Sequence, residues 1–154
     1  FTPEAAVDFL AGCRRVIGRG GALLVGVDLK KAPELLDAAY NDRAGVTAAF
    51  NLNLLERINR ELDADFDLDR FAHDAFYNEA AGRIEIYIRS LADQIVTVAG
   101  RAIRFAAGER IHTEDSCKYT VAEFRRLAAR GGFRPVRHWT DPAELFSVHL
   151  LGVT

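Results

Sequence analysis

The chain has 154 residues, 49% of them hydrophobic and 27% charged, with a formal net charge of −2, which is enough chain for a domain with its own core. That charge supplies no basic field, so neither nucleic acid nor an anionic membrane surface is an expected partner. No apolar run of about 18 residues and no signal peptide is visible, so no membrane span is expected. The two cysteines, Cys13 and Cys117, stand far apart and form no C-x-x-C pair. They indicate neither a zinc site nor a disulfide framework and suit a reduced cytoplasmic setting. The chain begins at Phe1 and contains no Met, so it reads as part of a longer protein whose function depends on residues outside it.

In chain order, Thr2 and Pro3 read as an N-cap and a first helical residue. Ala6, Val7, Phe9, Leu10, Cys13, Val16 and Ile17 follow at helical spacing, and Gly18, Gly20 and Gly21 end that helix. ALLVGVDL, residues 22–29, is a continuous apolar run, which suggests a strand buried on both faces, as in a parallel sheet. Residues 32–40 read as a short helix. Residues 44–62 read as a longer one, with Val46, Ala49, Phe50, Leu54, Leu55, Ile58 and Leu62 on its apolar side. After residue 69 the period changes to two. Ile84, Ile86 and Ile88 alternate with Glu85, Tyr87 and Arg89, and strand signals continue at 94–98, 102–105 and 110–118. Thr120 and Glu123 form a capping box that opens a helix through Ala129, and Gly131 and Gly132 stop it. Residues 133–139 and 145–151 are two closing strands. The two ends therefore read as one sheet, and the middle as an insertion into it.

Few motifs carry chemistry on their own. GRGGA, residues 18–22, follows a helix and precedes a strand, whereas a phosphate-cradling loop needs the reverse order. His73, His112, His138 and His149 show no metal-ligand spacing, and His138 and His149 are expected on the outer face of a hairpin. Cys117 has no positive neighbour on its own face of a strand and reads as a buried structural thiol. In a strand over 110–118, His112, Glu114, Ser116 and Lys118 share a face. That face is either solvated surface or the floor of a pocket. Tyr40 and Phe50, bracketing NDRAGVT, are either helix-packing aromatics or pocket walls.

Two longer stretches are recognisable. VIGRGGALLVGVDL (16–29) and YTVAEFRRLAARGGFRPVRHWTDPAELFSVHLL (119–151) resemble the second half of a class I S-adenosylmethionine-dependent methyltransferase: a helix, a glycine turn and the fifth strand, then the last helix and closing hairpin. The segment from GVDLKKAPELLDAAYNDRAGVTAAF to IEIYIRS, with FAAGERIHTEDSCKYT, resembles the histidine-specific N-alpha-methyltransferases of ergothioneine biosynthesis. The resemblance implies an α/β chain (α+β by its own elements). Residues 1–30 and 119–154 would be the C-terminal part of a Rossmann-like methyltransferase sheet, and 31–118 an inserted, mostly antiparallel β substrate-binding domain. It implies an enzyme that trimethylates the α-amine of L-histidine to hercynine with S-adenosylmethionine. Tyr40 would lie near the amino-acid end of the substrate, Phe50 would form an aromatic wall, and Glu114 and Ser116 would hold the imidazole. Ile86 stands where relatives carry methionine against the substrate. The cofactor-binding motif would lie in a missing N-terminal half, so no catalytic, cofactor-binding or metal-binding residue is assigned here. The chain alone is expected to be inactive and to self-associate. Two alternatives are a non-catalytic amino-acid-binding module and a methyltransferase for another amino acid, such as tryptophan.

Overall fold

The computed structural model describes residues 1–153. The helices are α1 (Pro3–Ile17), α2 (Pro33–Tyr40), α3 (Val46–Leu62) and α4 (Val121–Arg130). The strands are β1 (Ala22–Asp28), β2 (Phe71–Asn78), β3 (Arg83–Ser90), β4 (Gln94–Val98), β5 (Arg101–Phe105), β6 (Arg110–Cys117), β7 (Phe133–Thr140) and β8 (Phe146–Val153). The chain divides into two compact units. One comprises Phe1–Ala32, Glu79–Arg83 and the residues from Asp115 onward; the other comprises Pro33–Asn78 and Ile84–Glu114.

In the first unit β8 is the central strand of a three-stranded sheet, ordered β1-β8-β7, and both neighbours pair with it antiparallel. Helices α1 and α4 begin at side-chain caps. Thr2 Oγ1 accepts from the Ala5 N–H at 3.3 Å. Thr120 Oγ1 accepts from Glu123 N–H at 3.1 Å, and the Glu123 carboxylate accepts from Thr120 N–H at 2.7 Å, which satisfies two donors that would otherwise be orphaned at the helix start. Leu10 from α1, Phe124 and Leu127 from α4, Phe133 from β7 and Leu151 from β8 form the core.

Two expectations are corrected in this unit. Strand β1 is not buried on both faces in a parallel sheet: its burial alternates, and Leu24 is 64% exposed. Leu23 and Val25 pack on the core, so one apolar face is used and the other is open. His149 does not lie on an outer face either. It is 1% exposed in the central strand, its ring packed 4.7 Å from that of Phe124.

In the second unit, β2, β3 and β6 are ordered side by side in one sheet, and β4 and β5 form an antiparallel hairpin. Leu55 from α3 packs with Phe66, Phe71, Ile88 and Val96. Leu36 from α2 packs with Ala75, Ile84 and Ile86. Strand β2 has no counterpart among the expected elements. The apolar side of α3 also differs from expectation: Val46, Phe50 and Leu62 are exposed, and the buried line runs through Asn51 and Leu55.

Candidate functional site

Helix α3 follows a tight turn in which Gly45 adopts a left-handed conformation (φ 71°), accessible to glycine without strain. Asp42 caps the helix from outside. Its carboxylate accepts from Thr47 N–H at 2.8 Å and Val46 N–H at 2.9 Å, and these bonds pull its pKa down to about 2. The cap places Thr47, Phe50, Asn51, Leu54 and Arg57 along one helix face, at the three- and four-residue spacing of neighbours on a helix.

That face borders a cavity of about 390 Å³ within the second unit, a size suited to a small molecule. Tyr40 closes it from the end of α2, Ile86 from β3 and Glu114 from β6. Ile86 is almost fully buried, whereas Phe50 is 73% exposed and offers an open aromatic face. Among the described residues, no donor or cation is bonded to the Glu114 carboxylate. The Arg57 guanidinium, at the rim, is engaged by Glu61 through two bonds of 3.1 Å.

Four of the five residues singled out from the sequence thus line one cavity. The fifth does not. Ser116 belongs to the first unit and borders a different, mainly apolar cavity with Phe9, Val25 and Phe124. There its Oγ accepts from Lys118 Nζ at 2.9 Å. The Lys118 side chain is 1% exposed, and its ammonium also pairs with Asp28 at 2.8 Å. Lys31 reaches the other oxygen of Asp28 at 2.6 Å. Burial by itself would raise the Asp28 carboxyl, but the bonds and charges of Lys118 and Lys31 hold it below its ordinary value. Cys117 is only partly buried, and its thiol donates to the Phe1 carbonyl at 3.2 Å. Thr47, Asn51, Leu54 and Arg57 were not anticipated. The helical spacing from Phe50 could have found them.

The model of the SAM-dependent histidine-specific methyltransferases matches residues 1–153. The chain belongs to that family. It is 44% identical over 151 residues to a histidine N-alpha-methyltransferase from Mycolicibacterium smegmatis, covering 97% of this chain and 47% of the relative. It is 32% identical over 154 residues to ergothioneine biosynthesis protein 1 from Neurospora crassa, covering 98% of this chain and 17% of that protein. An L-tryptophan methyltransferase from Psilocybe serbica is 30% identical over 129 residues, covering 80% of this chain and 35% of that protein. Among solved structures, the CcbJ methyltransferase from Streptomyces caelestis aligns over 99% of this chain and 54% of its own, with a TM-score of 0.48 and 12% identity. The chain spans about half the length of the histidine methyltransferases it matches.

The family's cofactor is S-adenosylmethionine, and a cradle for it would be a glycine-rich turn leading from a strand into a helix. Among the described residues, β1 leads into α2 through Leu29–Ala32 without a glycine, and Gly18, Gly20 and Gly21 lie between α1 and β1. These residues do not form that cradle.

Proposed function

We propose that this chain is the substrate-recognition half of an S-adenosylmethionine-dependent methyltransferase that converts L-histidine to hercynine by methylating its α-amine three times. The observation that carries the reading is the convergence of Tyr40, Phe50, Ile86 and Glu114, from four separate elements, on one cavity. Glu114 is an acceptor and would take an imidazole N–H. Phe50 and Ile86 would flank the ring, and Tyr40 would stand near the amino-acid end. A site whose polar groups need a polar ligand rejects apolar analogues, because its own acceptors would go unpaired. The role of Ser116 as a second imidazole partner rests on the family resemblance alone.

Methyl transfer to an amine requires an unprotonated nitrogen held in line with the departing methyl group, so most of the task is positioning. In this reading residues 31–118 are inserted into the methyltransferase core to supply that positioning, while the remaining half of the longer protein supplies the cofactor. The proposed setting is cytoplasmic, where the free thiols of Cys13 and Cys117 stay reduced. Labelled S-adenosylmethionine incubated with L-histidine should give hercynine with the two-half enzyme and none with this chain alone. Turnover by the chain alone would refute the division of labour. The similarity to an L-tryptophan methyltransferase favours one second reading, since an indole N–H could also donate to Glu114. Competition between the two amino acids separates them.

A further inference from the structure

Asn51 is 7% exposed and lines the cavity together with Glu114 and Tyr40. Both hydrogens of its amide are used inside the fold. Nδ2 lies 2.9 Å from the Tyr87 carbonyl oxygen and 3.0 Å from Nδ1 of His73. A carbonyl only accepts, so the amide nitrogen has to face it, and this settles which way round the side chain sits. The same nitrogen can only donate to His73, so Nδ1 of that ring is an acceptor and its proton sits on Nε2. Nε2–H in turn donates to the Tyr40 carbonyl oxygen at 2.9 Å. Reversing the amide would set its oxygen against the Tyr87 oxygen and the Nδ1 lone pair. What Asn51 has left for the cavity is Oδ1, which no donor reaches among the described residues. That oxygen is open to the cavity, where water pairs with it until a ligand does, and a ligand that displaces the water without offering a donor leaves it unpaired.

We propose that Asn51 is a substrate-binding residue whose Oδ1 accepts an N–H of the bound amino acid, and that His73 is the positioning residue that keeps it facing that way. The inference rests on the substrate reading above and extends it. Among the acceptors lining the cavity, the Glu114 carboxylate and the Asn51 amide oxygen then form a pair suited to a ligand with two N–H groups. Glu114 takes one. The other comes from the amine or from the second ring nitrogen.

The test is calorimetric titration of the two-half enzyme, with folding checked by circular dichroism and by unchanged affinity for S-adenosylmethionine. Asn51→Ala should weaken L-histidine binding about ten- to a hundredfold, the range for losing one hydrogen bond that involves a charged or buried partner. Imidazolepropionate, which lacks the amine, and the two ring-methylated histidines identify the donor. If the amine donates, the substitution should not affect imidazolepropionate binding. If the ring donates, it should not affect binding of one methylhistidine. His73→Leu should weaken L-histidine binding, and His73→Asn, whose side-chain oxygen can accept where Nδ1 does, should restore it. This pair also decides the matter if Asn51→Ala fails to fold. Equal behaviour of the two His73 variants would overturn the proposal. So would wild-type binding by Asn51→Ala beside lost binding by Glu114→Ala, which would leave the histidine reading standing. Wild-type binding by both would overturn the histidine reading as well.

Discussion

The Asp28–Lys118 pair is unequal in burial, and the inequality sets the order of two substitutions. Asp28→Asn takes a carboxylate away from an ammonium that is 1% exposed. Removing one partner of such a pair costs about 3–5 kcal/mol, because the charge left behind is desolvated. Lys118→Met removes the buried charge itself. The carboxylate that remains is 29% exposed and keeps Lys31 at 2.6 Å, so the loss should be about 1–2 kcal/mol, the worth of one hydrogen bond plus imperfect packing. The pH dependence has a definite sign. Asp28 titrates below its ordinary value in the folded state, so its contribution is present above about pH 4 and is lost as the pH falls through the folded value. Urea denaturation of both variants and the parent, at pH 7 and pH 3.5, measures all of this. The parent should lose part of its advantage over Asp28→Asn at the lower pH, because Asp28 begins to take up a proton there. Lys118→Met at least as destabilising as Asp28→Asn would refute the argument.

Three further outcomes follow from the fold. Leu55 is fully buried beside Phe66, Phe71 and Ile88, so Leu55→Ala should cost about 2–5 kcal/mol in the same denaturation experiment. His149 Nε2–H donates to Ser147 Oγ at 3.0 Å, and the serine's own hydrogen goes to the Val27 carbonyl at 3.1 Å. Burial, with His138 and Arg125 nearby, holds the His149 pKa below 6.5. The unfolded chain therefore takes up the proton more readily, and stability falls as the pH drops below about 6.5; between pH 7.5 and 5.5 the parent should lose more stability than His149→Phe. Strand β1 is at the edge of its sheet with Leu24 exposed, and such edges recruit other strands. Light scattering of this chain alone should show self-association, and a monodisperse monomer would contradict that.

Local signals made most of the elements legible in the sequence. The capping box at Thr120 and Glu123, the Thr2–Pro3 helix start and the alternation of Ile84, Ile86 and Ile88 are each satisfied within a few residues. Strand β2 was not legible. Phe71–Asn78 carries His73 and Ala75 where a larger apolar pattern would be looked for, and its pairing comes from a strand farther along. The run at 22–29 is covered on only one of its faces, and an apolar sequence looks the same whether one face or two faces are covered. Asn51 was invisible for the same non-local reason. A polar residue on the buried line of α3 makes sense only once Tyr87 and His73 are seen to bond with it. Tyr40, Phe50, Ile86 and Glu114 came from family resemblance. Bare pattern favoured packing aromatics and a solvated strand face, and nothing local in the sequence reveals a cavity built from four elements.

The most direct test of the account is calorimetric titration of L-histidine, with L-tryptophan as control, into the two-half enzyme and its Glu114→Ala variant. The account expects the parent to prefer histidine and the variant to lose that preference, with histidine binding weakened at least tenfold, as for a hydrogen bond to a charged group. An unchanged preference would make Glu114 a surface residue and would remove the substrate assignment built on this cavity.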